Sequence, residues 1–197
     1  MSIYTTIYLE PTNVEYERYT DEHGVKRVRK KGILHITSFQ NFRSLDDLIC
    51  SVPGVTPAPN PYYDPDKKDD TLSLDGRKHR GYYLGKDALD AIASTLIPIA
   101  AYLRGMDPNK RDSLEEGDDY ALEALFGSKA KARKAKLEYD AKMYGTPFYL
   151  ACDSFLTSKI IKAADAIAFL HRSELPIEGT ENAEGAETVY RVYYRCE

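Results

Sequence analysis

The residues that could carry chemistry lie in three separate pieces of the chain. His35 sits in the apolar run Leu34-His35-Ile36, followed at once by Thr37 and Ser38, a polar turn and a short helical stretch. Gly81-Tyr82-Tyr83-Leu84 leads straight into a helical pattern, and Glu187 opens the late segment Glu187-Thr188-Val189-Tyr190. An imidazole, a phenol and a carboxylate are therefore on offer, with hydroxyls beside the first. Other chemistries lack their motifs: there is no GxxxxGK[ST] phosphate loop, no GxGxxG behind a strand, no GxSxG elbow and no HExxH pair. The histidines, His23, His35, His79 and His171, stand in different contexts, none with a second ligand at metal spacing, so no metal is expected.

The three pieces resemble the histidine–tyrosine–glutamate arrangement of the ADP-ribosyltransferase superfamily. In that family a strand with His and a nearby Thr or Ser precedes a helix, a Gly-x-Tyr-aliphatic strand has a helix behind it, and a glutamate opens a late strand. The resemblance implies NAD as cofactor and a macromolecular acceptor. It implies that His35 bonds the cofactor's ribose, that Tyr83 stacks on the nicotinamide, and that Glu187 orients the ribose hydroxyls. Glu187 would also stabilise the positive charge that builds as the nicotinamide–ribose bond breaks, as in other oxocarbenium-like transition states. Thr37, Ser38 and Tyr82 would line the cofactor, and a proline-rich loop could recognise the acceptor. This chemistry requires His35, Tyr83 and Glu187 to share one cleft between adjacent strands. A structural reading stays open beside it, with His35 a boundary residue, Tyr83 sheet packing and Glu187 a solvated loop charge.

The elements that must position these residues follow from pattern. Ser2 to Glu10 alternates and is rich in Ile, Tyr and Thr, as a strand requires. Asn13 to Thr20 and Val25 to Lys31 read as a hairpin around Asp21-Glu22-His23-Gly24. Ser51 to Asp70 holds five of the chain's ten prolines and reads as a loop. Thr71 to Leu74 and Gly81 to Leu84 read as short strands. A helix from about Lys86 to Arg104 carries Leu89, Ile92, Leu96, Ile99, Ala100 and Leu103 on one face, with Pro98 bending it. A basic helix capped by Ser128 follows, with Ala132, Ala135, Tyr139 and Met143 on its drier side. Thr146 to Cys152 reads as a strand. Asp153 or Ser154 then caps a helix from about Phe155 to Arg172, whose core face is Leu156, Ile160, Ala164, Ile167 and Leu170. Thr188 to Arg195 reads as a central or near-central final strand. The sum is an α+β protein: a mixed, largely antiparallel sheet with an N-terminal hairpin and a C-terminal strand, packed by several helices. Residues 1–197 are expected to form one domain with a proline-rich loop at about 51–70.

Composition narrows the partner. A net charge of −4 argues against a whole-protein electrostatic grip on nucleic acid or membrane. Cys50, Cys152 and Cys196 are too far apart for a metal knuckle or a disulfide framework, which suggests reduced thiols and a cytoplasmic protein. The longest apolar-rich run, Ala88 to Leu103, is interrupted by Asp90, Ser94, Thr95 and Pro98 and is too short to span a bilayer. Sixteen tyrosines, six phenylalanines and no tryptophan suit a tyrosine-rich sheet or a contact surface. Three basic stretches, Lys26 to Lys31, Arg77 to Arg80 and Lys129 to Lys136, could touch nucleic acid if they converge on one face. The competing reading is a non-catalytic inhibitor or adaptor, for example a mobile-element or phage protein blocking a host defence complex. It would bind a protein or protein–nucleic-acid partner through tyrosine-rich and charged surfaces.

Overall fold

The structure, a computed structural model, describes residues 4–13, 15–40, 42–58, 80–105, 119–152 and 156–196. The chain gathers into two compact units. One comprises Met1–Asn41, Pro53–Ala88 and Ser173–Glu197, the other Phe42–Val52 and Leu89–Arg172.

The first unit is built on β1 (Tyr4–Pro11), β4 (Leu34–Gln40), β5 (Val55–Pro57), β6 (Arg80–Leu84) and β7 (Tyr190–Cys196), in the order β4-β1-β7-β6-β5. Every ladder of this sheet is antiparallel; one isolated parallel bridge joins Ile177 to Tyr190. The final strand lies at the centre, as its unbroken run of buried residues from Val192 to Cys196 requires. Alternation sorts the side chains onto two faces. Ile7, Leu9, Phe39, Leu84, Val192 and Tyr194 are buried on the apolar face. Tyr8, Glu10, Tyr83, Arg191 and Tyr193 lie on the other.

A separate hairpin pairs β2 (Tyr16–Thr20) with β3 (Lys26–Lys30). Its turn is the expected one. The Asp21 carboxylate accepts the N–H groups of His23 and Val25 at 3.0 and 2.9 Å, and Gly24 takes φ 76°. The proline-rich stretch departs from its expectation at one place: Val55–Pro57 is an edge strand, which tolerates proline because an edge leaves N–H positions unpaired. Most of that loop, the strand expected at Thr71 to Leu74, and the caps Asp153 and Ser154 lie outside the described residues.

The second unit is helical. It holds α1 (Arg43–Ile49), α2 (Lys86–Gly105) from Leu89 onward, α3 (Asp119–Phe126), α4 (Lys129–Ala141), α5 (Pro147–Cys152) and α6 (Thr157–Arg172). The apolar stripes expected on α2 and α6 are buried, and Pro98 lies inside α2. Two polar contacts tie these helices together, an ion pair of Arg104 with Asp165 and a hydrogen bond between His171 Nε2 and Asp90 at 2.9 Å.

Thr146 to Cys152 corrects the expected strand. Pro147 opens a helix there, the Leu150 N–H reaches the Thr146 carbonyl at 3.0 Å, and the Thr146 hydroxyl accepts the Tyr149 N–H at 3.4 Å. A short apolar run cannot be told from a buried helix by periodicity, and here threonine before proline supplied the helix-start signal. Met143 also departs from expectation. Helix α4 ends at Ala141, so Met143 falls beyond the drier face and is exposed, whereas Tyr139 packs on Phe148 with ring centroids 4.9 Å apart.

The turn between α4 and α5 depends on Gly145. Its φ is +77°, and a Cβ there would sit 2.7 Å from the Asp47 Cβ and 3.0 Å from the Leu48 nitrogen of α1. Gly145→Ala should therefore lower unfolding free energy by about 3 kcal/mol, combining left-handed strain with overpacking against backbone. A urea melt of the variant overlaying that of the wild type would show that this contact is not closed.

Candidate functional site

On the sheet face opposite the apolar one, residues from four neighbouring strands stand in a single row. His35, Tyr8, Tyr193 and Tyr83 are direct cross-strand neighbours, taken in strand order β4, β1, β7, β6. Successive ring centroids are 5.7, 6.1 and 5.7 Å apart. His35 joins this row because of a β-bulge. The register passes from Ile7 opposite Thr37 to Tyr8 opposite His35, which leaves Ile36 as an extra residue and turns His35 towards Tyr8.

Beside the row lies a buried polar cluster. The Lys30 ammonium donates to Glu10 Oε1 at 2.5 Å, and each of these side chains is only 2% exposed. The Tyr83 hydroxyl donates to the same oxygen at 3.2 Å. Arg191, opposite Glu10 in the ladder, lies over the Tyr83 ring at 5.3 Å and forks onto Glu178 with bonds of 2.8 and 3.1 Å. Burial, then the Glu10 charge and its hydrogen bond, push the Tyr83 phenol up to about 12, with Arg191 pulling the other way. Burial pushes the Tyr193 phenol further up. Both phenols are thus kept neutral, and Tyr83 acts as a hydrogen-bond donor.

A pocket of about 350 Å³ opens where β6 ends and β7 begins. Tyr83, Arg191, Glu178 and Thr56 line it, and Gly54 and Gly85 contribute backbone. The glycines allow close approach: Gly54 has φ +78°, and a Cβ on it would lie 3.0 Å from the Ala88 nitrogen. The pocket offers a guanidinium already bonded to a carboxylate and an aromatic face already covered by that guanidinium.

The residues singled out by sequence are distributed as follows. His35 and Tyr83 share a face, but β1 and β7 stand between their strands, which amounts to about 14 Å at three strand spacings. Tyr82 is on the apolar face, opposite Tyr194 with ring centroids 6.4 Å apart. Thr37 is buried opposite Ile7, and Ser38 is exposed opposite Thr6. Glu187 is exposed in the turn leading to β7. The carboxylate beside Tyr83 is that of Glu10. Sequence reasoning missed Glu10, Lys30 and Arg191 because their partners are distant in the chain, 20 residues for Lys30 and Glu10 and 73 for Tyr83 and Glu10. The one local signal was a glutamate following Ile7, Tyr8 and Leu9 near the end of a strand.

Among the described residues, no group of three or more His, Cys, Asp or Glu side chains gathers as metal ligands, and no helix is long and apolar enough to cross a membrane. Comparison with protein-family models, with curated proteins and with solved structures finds no match for this chain.

Two outcomes are expected of the cluster. Glu10→Gln and Lys30→Met should each lower stability by about 3–5 kcal/mol, because either leaves its partner buried without a counter-charge, while the double change Glu10→Gln with Lys30→Met should cost less than the sum. Additive losses in urea unfolding would mean that the two residues do not act as a pair. The second outcome concerns alkaline pH. Unfolded tyrosine ionises near 10 whereas folded Tyr83 keeps its proton to about 12, so this contribution is intact below pH 10 and is lost as pH rises towards 12. Urea midpoints at pH 9 and 11 should fall less steeply in Tyr83→Phe, and an unchanged slope would contradict the assignment.

Proposed function

We propose that this chain is a non-catalytic interaction protein that binds an acidic protein partner through the outward face of α4. The observation carrying this reading is the placement of charge on that helix. Lys129, Lys131, Arg133, Lys134 and Lys136 are all exposed, and the one ion pair any of them makes with a described residue is Lys134 to Glu138, at 3.8 Å. The basic hairpin strand differs. There Arg29, Lys30 and the adjoining Lys31 meet Glu17, Glu10 and Glu15, so these three charges are paired within the fold.

Charge on α4 also runs against the helix macrodipole. No acidic residue lies in its first turn and no basic residue in its last. Cations at the positive end and carboxylates near the negative end each cost a few tenths of a kcal/mol. Helix stability therefore gives no reason for this pattern, while recognition of an anionic surface does, because the dipole and the lysines add their potentials at the N-terminal end. Leu137, 68% exposed on the same helix, is an apolar contact amid the charge. A protein partner suits this face better than nucleic acid, since Glu138 and Asp140 close the basic stretch after about 15 Å of helix.

The transferase chemistry implied by His35, Tyr83 and Glu187 draws support from the shared face of His35 and Tyr83. It draws less from the remainder: two strands separate them, Glu187 is exposed, and Arg191 covers the ring on which a nicotinamide would stack.

The test uses a fluorescent polyglutamate peptide, a duplex DNA and NAD. Polyglutamate should bind in a salt-dependent manner, and Lys129→Glu with Lys131→Glu should weaken it at least tenfold. The same double change should raise unfolding free energy by about 1 kcal/mol, since it places carboxylates in the first turn. Tighter binding of DNA than of polyglutamate would overturn the protein partner. Nicotinamide release from NAD that is lost in Glu187→Gln would overturn the non-catalytic reading.

A further inference from the structure

Helix α4 has a second side, which shares Lys131 and Lys134 with the basic face. Within the helical unit, a groove of about 350 Å³ runs between α2, α3, α4 and α5. Ile99, Leu125, Phe126 and Ala135 give it an apolar lining, and Lys131 and Lys134 stand at its rim. Three features of the sequence characterise its walls. Ala135 is small where α4 turns inward. Pro98 lies in the α2 wall and offers no amide to the Ser94 carbonyl one turn back. The Ser94 and Thr95 hydroxyls, on residues that line the groove, are committed as donors to the Ala91 carbonyl, at 2.9 and 3.1 Å.

We propose that this groove receives an apolar anchor side chain of the acidic partner, with the partner's flanking carboxylates meeting Lys131 and Lys134. The inference rests on the reading of α4 as the partner-binding helix and names what that partner must carry: a Leu, Phe or Trp set among Asp and Glu. Charge complementarity commits the occupant. The rim supplies two ammonium groups on the helix that already presents the basic face. Glu138, which also lines the groove, is opposite Lys134 at 3.8 Å, and this leaves Lys131 as the cation with no described carboxylate against it. The volume lies at the low end of the range for ligand sites, which fits one buried anchor rather than a whole cofactor. A central apolar anchor ringed by charge is the usual division of labour at protein interfaces.

The chain contains no tryptophan, so a tryptophan in a probe peptide can be excited alone. The probe is a synthetic peptide of Asp and Glu with one central Trp, compared with the same peptide carrying Gly in its place. With the wild-type protein, the Trp peptide should bind at least tenfold more tightly than the Gly peptide. Its emission should shift to the blue, and iodide should quench it several-fold less when bound. Ser94→Phe, which fills the groove from an exposed position on α2, should bring the Trp peptide down to the Gly peptide's affinity and leave the Gly peptide unchanged. Equal binding of the two peptides to the wild type, or a bound tryptophan as open to iodide as the free one, would overturn the groove while leaving the acidic-partner reading intact. Failure of both peptides to bind would overturn that reading and the groove with it. A wild-type dimer that Ser94→Phe dissociates would give the groove to a second copy of the chain and overturn the proposal.

Discussion

The sheet depends on one pairing: the last strand of the chain lies between the first and the sixth. Thr5 stands opposite Cys196, and the ladder runs from there to Pro11 opposite Tyr190. Beyond it the Thr12 N–H continues to the Val189 carbonyl at 2.8 Å. On the other side of β7, Arg80 to Leu84 completes its hydrogen bonding. With both edges occupied, β7 can bury residues along its whole inner length, and its tyrosines become packing units. Tyr193 touches Tyr8 on one side and Tyr83 on the other, so the aromatic row exists only once both ladders have formed. The chain must close almost end to end for this, a non-local contact whose loop entropy has to be met before any of the burial is gained.

The same pairing explains the buried charge. Glu10 is placed on the polar face by alternation along β1, and the hairpin brings Lys30 onto it. A lone carboxylate at 2% exposure would be untenable; with Lys30 and Tyr83 donating to it, the group is tolerated. The contact joins the hairpin to the sheet, since Lys30 lies on β3 and Glu10 on β1. The phenol of Tyr83 is then committed to an internal acceptor and held neutral, which describes a structural donor better than an acid or base poised near neutral pH.

Charge is handled in the opposite way on α4. In the hairpin, Arg29, Lys30 and Lys31 each meet a glutamate, whereas α4 exposes its cations and sets them at the wrong end of its own dipole. A helix capped by Ser128, with the Lys131 N–H bonded to its hydroxyl at 3.3 Å, is stable enough to carry that penalty. Among the described residues, Tyr8, Tyr82, Tyr83, Tyr193 and Tyr194 stack within the sheet, while Tyr4, Tyr16 and Tyr144 are exposed, as are the apolar side chains of Leu137 and Phe169.

Much of the architecture was legible from local pattern. The hairpin turn at Asp21 to Gly24, the apolar stripes of α2 and α6, the Ser128 cap and the central place of the last strand all follow from period, turn chemistry and capping, which act over a few residues. The run from Thr146 to Cys152 was not legible by period, because a buried helix and a buried strand show the same apolar letters, and only its Thr-Pro start distinguished them. What tertiary structure alone decided was proximity. His35 was visible as a histidine in a strand, yet its direction depends on a bulge at Ile36 that pairing with β1 creates. Glu187 stood out by position but lies exposed, while Glu10, unremarked in its strand, became the buried carboxylate because Lys30 and Tyr83 reach it from elsewhere in the chain. Sequence alternation relates the faces of residues along an unbroken stretch of strand; where a bulge breaks that alternation, and which residue stands across from which, are set by register, and register is a property of the assembled sheet.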